Sequence, residues 1–560
     1  MDPAVANAST HLGLLPPLLQ ATATLVWLPQ AAALSYAIGG IAEGAPLGAV
    51  ILPAIAVLFL GFLKAGLDAA GTRLAFKSAR ISLSRIRERA ITALAARSPL
   101  DVARPASGLA ASTVAEQAEM IVPYLARFKP ARLKATLVPL AILMCVLSLS
   151  WAAAFVLLVA APLIPVFMAL IGWRAKAASE KHLAEIGGMN GFLLDRLRGL
   201  STLRALGAVD FTALRLRSEA QSLRLRTMTV LRIAFLSSAV LELFAALGVA
   251  MTAVYVGFHL LGQIGFGTWG NKLTLAEGLF ILLLAPAMFE PLRELSAVWH
   301  DRASGEAALK ALEDFDIKGT ELPGATNDGV AQASIVKAPP SIDIDGLRFC
   351  YPGSRAPVLD NFTLSVAAGE HVALLGPSGC GKSTILALLA GLAPADRGRV
   401  VIGDTPLDDD TANALRKRMA WVGQTPYLFA GSIASNISVG RVGIGSEEIA
   451  SVLGVTLLQA VADRHGNALV GENGSGLSGG EALRLILARA AVDPSSDLIL
   501  ADEPTAHLDR ETADEITGSL LALAKGRTMI VATHDPAFAS RLDRTIDLRL
   551  TASSQSKVRA

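Results

Sequence analysis

The sequence predicts a multi-domain membrane protein: a six-helix α-helical transmembrane domain followed by an α/β domain. Three observations carry this. Hydrophobic residues make up 52% of the 560 positions and charged residues only 18%, which is too apolar for an ordinary soluble chain of this length. The apolar residues gather in six runs before residue 300. After residue 341, short β-branched runs alternate with helical stretches, the pattern of a largely parallel sheet.

The apolar runs lie at 16–40, 46–68, 135–150, 152–173, 230–258 and 274–292, each near the ~20 residues a helix needs to cross a bilayer. "AAAFVLLVAAPLIPVFMALIGW" (152–173) carries no polar stripe of helical period, as a core helix of a soluble protein would. The third and fourth runs nearly merge at "SLSW" (148–151), which reads as a tight hairpin.

Orientation follows from the loops. Segment 73–134 holds twelve Lys and Arg, among them Arg127, Lys129 and Arg132, against four acids, and 174–232 is similarly rich in arginine. The short loops near 41–46, 149–151 and 259–273 are nearly uncharged. The positive-inside rule places both basic extensions and both termini in the cytoplasm of a multi-pass membrane protein. "MDPAVANAST" has no basic run before the first apolar stretch, so no cleaved leader is expected. A net charge of +2 gives no reason to expect a nucleic-acid partner. The three cysteines, Cys145, Cys350 and Cys380, lie far apart, which fits a reducing compartment and excludes a disulfide framework.

The expected boundaries are a transmembrane domain over 1–312, a linker over 313–340 and a second domain over 341–560. The linker reading rests on the Gly-, Pro- and Ala-rich stretch 318–341. In the second domain "GPSGCGKS" (376–383) lies between the strand-like "HVALL" and the helical "STILALLAGL". Gly376, Pro377, Ser378, Gly379, Cys380 and Gly381 would curl backbone N–H groups round phosphate oxygens at a helix N-terminus. Lys382 would reach the outer phosphates, Ser383 would coordinate Mg²⁺, and Thr384 closes the motif. "LILAD" (498–502) is a buried strand that would deliver Asp502 to the metal, with Glu503 beside it to polarise an attacking water. ATP and Mg²⁺ are therefore the expected ligands. Cys380 is either a small filler or a redox-sensitive thiol.

Further motifs carry a resemblance. "LSGGE" (477–481) resembles the signature of ATP-binding-cassette (ABC) ATPases, with Ser478, Gly479 and Gly480 as its phosphate-capping residues. Gln424 in "WVGQTPYLF" resembles their Q-loop, a metal-sensing glutamine, His534 in "VATHD" their switch histidine, and Tyr351 in "RFCYPG" their adenine-stacking aromatic. With six spans ahead of one cassette, the whole chain resembles half of an ABC exporter: a six-helix transmembrane domain of ABC exporter type and an α/β P-loop ATPase domain. The resemblance implies that two cassettes close head to tail over two ATPs, so one chain does not complete a site.

"FLLDRLRGLSTLRALG" (192–207), 226–258 and 284–312 look like the CydD subunit of the CydDC exporters. That resemblance implies export of cysteine and glutathione across the bacterial inner membrane in support of cytochrome bd assembly. It also implies a CydC-like half-transporter as heterodimeric partner. Glu481 stands where the signature commonly has glutamine, which puts the activity of the site this chain caps in doubt. His507, in the D-loop, either tunes the opposite site or simply packs at the cassette interface.

Three residues are candidates for the substrate path. Glu242, placed in the middle of 230–258, either lines a cavity or pairs to fix helix packing. Glu290, Arg293 and Glu294, at an expected break at Pro291, would line the cytoplasmic mouth; Arg293 and the cluster Arg127, Lys129 and Arg132 either attract an anionic tripeptide or are ordinary positive-inside residues. His300, beside Trp299, is either an interfacial histidine or an axial ligand for haem, an alternative substrate.

Overall fold

The computed structural model describes residues 14–548, apart from 106, 163–195, 197–198, 271, 317–318, 326–337, 355, 442, 457, 466–469 and 472–475. The chain divides into two compact units, Met1–Ala90 with Ser107–Phe315, and Ile91–Ala106 with Asp316–Ala560.

Among the described residues, five helical stretches of the first unit are long and apolar enough to cross a bilayer: Leu15–Ala42, Gly48–Ala95, Ser107–Leu149, Ala239–Leu260 and Leu275–Glu313. A shorter apolar helix, Trp151–Pro162, opens the expected fourth span, whose remainder lies outside the described residues. Most of the first part of the expected extension 174–232 also lies outside them. The core of this unit joins Val138, Ile142, Leu157, Leu241, Ile281, Leu284 and Phe289. Gly248 lets two helices meet closely, since a Cβ there would stand 2.7 Å from Phe289 Cζ. The helix Leu47–Ala95 instead exposes Leu52, Leu58, Phe59 and Phe62, the surface expected of a segment solvated by lipid.

The hairpin at 148–151 is present. Helix Lys129–Leu149 stops at Ser150, whose hydroxyl donates to Gly267 O at 2.7 Å, and Trp269 Nε1 donates to Leu147 O at 2.7 Å. The last span differs from expectation. Pro291 does not break it: Leu275–Ala297 is one helix containing Pro286 and Pro291, started by a Thr274–Glu277 capping box. It gives way only at Val298 to a second helix, Trp299–Glu313. Apolar packing around buried Ala285, Met288 and Phe289 holds the turns that each proline weakens.

The basic segment 73–134 is not one helical extension. Its first part continues the second span as a single helix to Ala95, and residues 91–106 then join the second unit. There Ser98 Oγ donates to Leu392 O at 2.5 Å, and Leu100 packs on the cassette core. The expected linker is anchored at its start, where Ser98 N donates to Thr320 O (2.9 Å) and Leu322 N to Ala96 O (2.8 Å).

Among the described residues the second unit holds nine strands, β1 Ile342–Phe349, β2 Leu359–Val366, β3 His371–Leu375, β4 Arg397–Ile402, β5 Thr405–Pro406, β6 Met419–Val422, β7 Leu498–Asp502, β8 Thr528–Thr533 and β9 Arg544–Asp547. One sheet runs β6-β7-β8-β3-β9 and is parallel throughout; the other, β2-β1-β4-β5, is antiparallel. The runs read as strands from sequence are β3, β7 and β8, at the centre of the parallel sheet, where burial on both faces demands continuous apolar residues. The antiparallel sheet was not legible in that reading, because its strands alternate buried and exposed residues over short, bulged stretches.

Candidate functional site

Strand register brings the predicted nucleotide residues to one edge. Leu375 of β3 pairs with Thr533 of β8, and Asp502 of β7 with Ala532. The loop 376–381, the Asp502–Glu503 pair and His534 therefore all leave the carboxyl ends of neighbouring parallel strands, where open α/β sheets form their ligand crevice.

The loop is shaped for close backbone approach. Gly379 (φ 83°) and Gly381 (φ 97°) occupy the left-handed region, and Gly381 caps the helix Lys382–Leu389. Gly376 leaves room for Cys380, whose Sγ would stand 2.7 Å from a Cβ there. This close fit matches Cys380 as a filler. Pro377 and Ser378 are exposed on the loop.

Lys382 is almost fully buried. Its Nζ donates to Gly376 O (2.8 Å) and Pro377 O (3.0 Å) and pairs with Glu503 Oε1 at 3.3 Å. The other Glu503 oxygen meets His534 Nδ1 at 3.1 Å. Glu503 itself is left-handed (φ 46°), a conformation that a non-glycine residue holds only when its surroundings enforce it. Here its N–H donates to Ala532 O at 2.8 Å, which fixes the turn. A lysine, a carboxylate and an imidazole thus form one chain across the mouth of the loop.

Asp502 sits just inside. Burial pushes its carboxyl above the usual range and neighbouring Glu503 adds to this, while a hydrogen bond with Ser383 and the charge of Lys382 oppose it. Its Oδ1 is buried without a hydrogen-bond partner among the described residues. A buried, orphaned carboxylate oxygen next to a serine hydroxyl suits Mg²⁺, a hard cation that takes few protein ligands and keeps waters and phosphate oxygens for the rest. When bound, Mg²⁺ neutralises phosphate charge. Gln424 follows the end of β6, whose Val422 pairs with Ala501, so it lies beside this edge with its side chain exposed. Tyr351 is tethered to the loop helix, its hydroxyl 3.0 Å from Thr384 Oγ1 and its ring edge-on to Phe349.

Ser478 caps the helix Gly479–Ala491 in a reciprocal box with Glu481. Ser478 N donates to the Glu481 carboxylate at 2.8 Å, and Arg464, 17 positions earlier, donates to its other oxygen at 3.0 Å. These hydrogen bonds hold the Glu481 carboxyl below the usual glutamate range. The departure from glutamine therefore builds a capped helix with a paired charge, and Arg464 is a contributor that the sequence reading missed. No local signal marks a residue so far along the chain.

His507 does not join the site. It is exposed and left-handed (φ 64°), in the turn that leads to Asp509, the cap of helix Arg510–Ala524.

In the first unit, Glu242 and Arg293 come together. Arg293 Nε lies 3.2 Å from Glu242 Oε2 and its Nη1 donates to Glu290 Oε2 at 3.0 Å. Glu242 lies on the continuous helix Val209–Leu260, 18 positions before its end. Glu294 pairs instead with buried Lys134 at 2.5 Å. Arg127 pairs with Asp301 at 3.5 Å. His300 is exposed at the start of Trp299–Glu313, and the haem reading finds no support.

A family profile described as ABC transporter matches residues 359–506, and one described as ABC transporter transmembrane region matches 17–284. The glutathione/L-cysteine transport system ATP-binding/permease protein CydD of Haemophilus influenzae is 33% identical over 487 residues, 86% of this chain and 82% of that protein. Its Escherichia coli K12 counterpart is 34% identical over 88% of this chain and 83% of its own length. The CydC protein of Bacillus subtilis is 27% identical over 94% and 90%. A bacterial Atm1-family ABC exporter solved with ATP bound shares the fold, with a TM-score of 0.75 and 23% identity over 98% of this chain and 94% of that one.

Proposed function

The chain belongs to the ABC transporter family as a half-transporter of the CydD type, and from that premise we propose that it exports small thiols, cysteine and glutathione, from the cytoplasm across the bacterial inner membrane. It is an ATPase coupled to transport and uses ATP with Mg²⁺. The observation that carries the thiol reading is the 33–34% identity, over most of both lengths, to relatives named for glutathione/L-cysteine transport. In this reading the partner is a second, CydC-like half-transporter, and the pair supports cytochrome bd assembly. Both basic extensions and the cassette are cytoplasmic, as the positive-inside count indicates.

The residue roles follow from the crevice. Glu503 positions and polarises the attacking water, His534 holds that carboxylate through Nδ1, and Lys382 exchanges its loop carbonyls for phosphate. Asp502 and Ser383 hold Mg²⁺, Gln424 senses it from the edge of the sheet, and Tyr351 presents its ring to the base. Ser478, Gly479 and Gly480 cap the nucleotide held by the partner's loop. The segment 91–106 carries cassette motion to the spans through Ser98 and Leu100, since both bear on the unit that closes.

ATP-driven uptake into inside-out membrane vesicles tests this reading. Cysteine or glutathione should accumulate only with hydrolysable ATP. Turnover of ATP with no movement of either thiol sinks it and leaves a membrane ATPase of another purpose.

A further inference from the structure

The helices Val209–Leu260 and Leu275–Ala297 each carry a charged residue at the same depth. Glu242 is 18 positions from Leu260 and Arg293 is 18 from Leu275, about 27 Å along each helix at 1.5 Å per residue. With a hydrocarbon layer ~30 Å thick, both lie near the boundary continuous with the helical extensions.

Charges at that depth face a cavity or a partner rather than lipid. Here Arg293 stands between two carboxylates: Glu242 receives its Nε and Nη2 (3.2 and 3.4 Å) and Glu290 its Nη1 (3.0 Å). The trio has one carboxylate more than it has cations. All three side chains are open, at 64% for Glu242, 43% for Arg293 and 66% for Glu290.

Helix packing does not need this trio. Gly248 and Phe289 already bring the two helices into contact, and Lys134–Glu294 is a packing pair one residue further on, with Lys134 only 8% exposed. The trio differs because it borders empty space. Glu242 and Arg293 line a cavity of ≈ 310 Å³ floored by Ala245, Val249 and Phe289. Glu290 lines a second of ≈ 200 Å³, facing Lys64 and Trp27. The larger cavity is of the size that holds small ligands, ~300–1,000 Å³.

We propose that Glu242, Arg293 and Glu290 form a subsite for the α-amino-carboxylate group of the transported solute. The guanidinium takes the carboxylate through its fork, and a released glutamate takes the ammonium. Before loading, the guanidinium is shared between the two carboxylates, so the trio carries one net negative charge that an incoming ammonium balances. The apolar floor receives the rest of the solute. This inference rests on the thiol-export reading, because cysteine and the γ-glutamyl end of glutathione share that group.

The test uses inside-out vesicles carrying the full-length chain with its co-expressed partner, offered L-cysteine, cysteamine (no carboxylate) or 3-mercaptopropionate (no ammonium). Cysteine should enter with a KM on the order of tenfold below either analogue, the scale of one hydrogen bond to a charged group. Arg293→Ala should erase the preference over cysteamine, and Glu242→Gln combined with Glu290→Gln the preference over 3-mercaptopropionate. If Arg293→Ala does not fold, Arg293→Lys keeps the charge but loses the fork, and should raise the KM of cysteine and of 3-mercaptopropionate but not that of cysteamine. The double exchange Glu242→Arg with Arg293→Glu preserves an ion pair, so a mere packing role predicts restored cysteine uptake, which would overturn the subsite. Equal uptake of all three compounds by the wild type also overturns it while leaving thiol export standing. Failure to move any thiol overturns both.

Discussion

The crevice of the second unit and the charged trio of the first are built from the same side-chain chemistry, yet their surroundings differ. In the crevice Lys382 is 4% exposed and Glu503 15%, and the backbone of the glycine loop and β8 pins each of them. In the trio, among the described residues, the charges are held by one another and not by backbone, and all three side chains are open. The first arrangement is preorganised by one chain, so its geometry survives whatever completes the site. The second depends on what enters or faces it, which suits a surface that must bind and then release.

Substitutions that separate geometry from environment sharpen this contrast, and the largest effect belongs to the crevice. Glu503→Gln should reduce ATP turnover at this chain's own site by 10²–10⁴-fold, roughly the contribution of a positioned proton acceptor, with nucleotide binding retained in a filter-binding assay. A turnover loss smaller than tenfold would remove Glu503 from the reaction.

Next comes the packing pair. Lys134→Ala leaves Glu294 beside an apolar core but with access to solvent, so the loss should be about 1–3 kcal/mol, below the range for a fully buried pair. Thermal unfolding of the purified chain checks it, and an unchanged midpoint would mean that the pair holds nothing.

His507 gives a smaller effect. His507→Ala should change basal turnover less than tenfold in a steady-state assay, since the side chain touches none of the crevice residues. His507→Gly should stabilise slightly, because glycine adopts φ 64° without strain. A complete loss of turnover in the alanine variant would return the histidine to the chemistry.

Glu481 is expected to matter least. Its folded pKa is depressed, so its contribution is present above the ordinary glutamate value, about 4.3, and is lost as pH falls through the lower folded value. Glu481→Gln keeps the capping box and should flatten that acid-side loss in a pH series of unfolding midpoints. Its turnover at pH 7 should stay within about threefold, since glutamine also serves at that capping position.

Legibility followed the range of the interaction. The P-loop, Asp502–Glu503 and His534 were readable because each is a short stretch whose chemistry requires a glycine turn or a strand end. The spans were readable because lipid imposes length and apolarity on contiguous residues. Pro291 misled, since a proline weakens a helix locally but the packing of Met288 and Phe289 decides whether it breaks.

The sequence alone therefore determined the two-part architecture, the membrane habit and the phosphate chemistry, all set by backbone requirements that neighbouring residues must meet. Only the tertiary structure decided that Arg464 neutralises Glu481, that Ser98 fastens 91–106 to the cassette, and that Arg293 joins Glu242 and Glu290 while Lys134 takes Glu294. Those pairings depend on distance and burial between residues as much as 294 positions apart. A charge in a sequence carries no record of the partner that folding will bring to it.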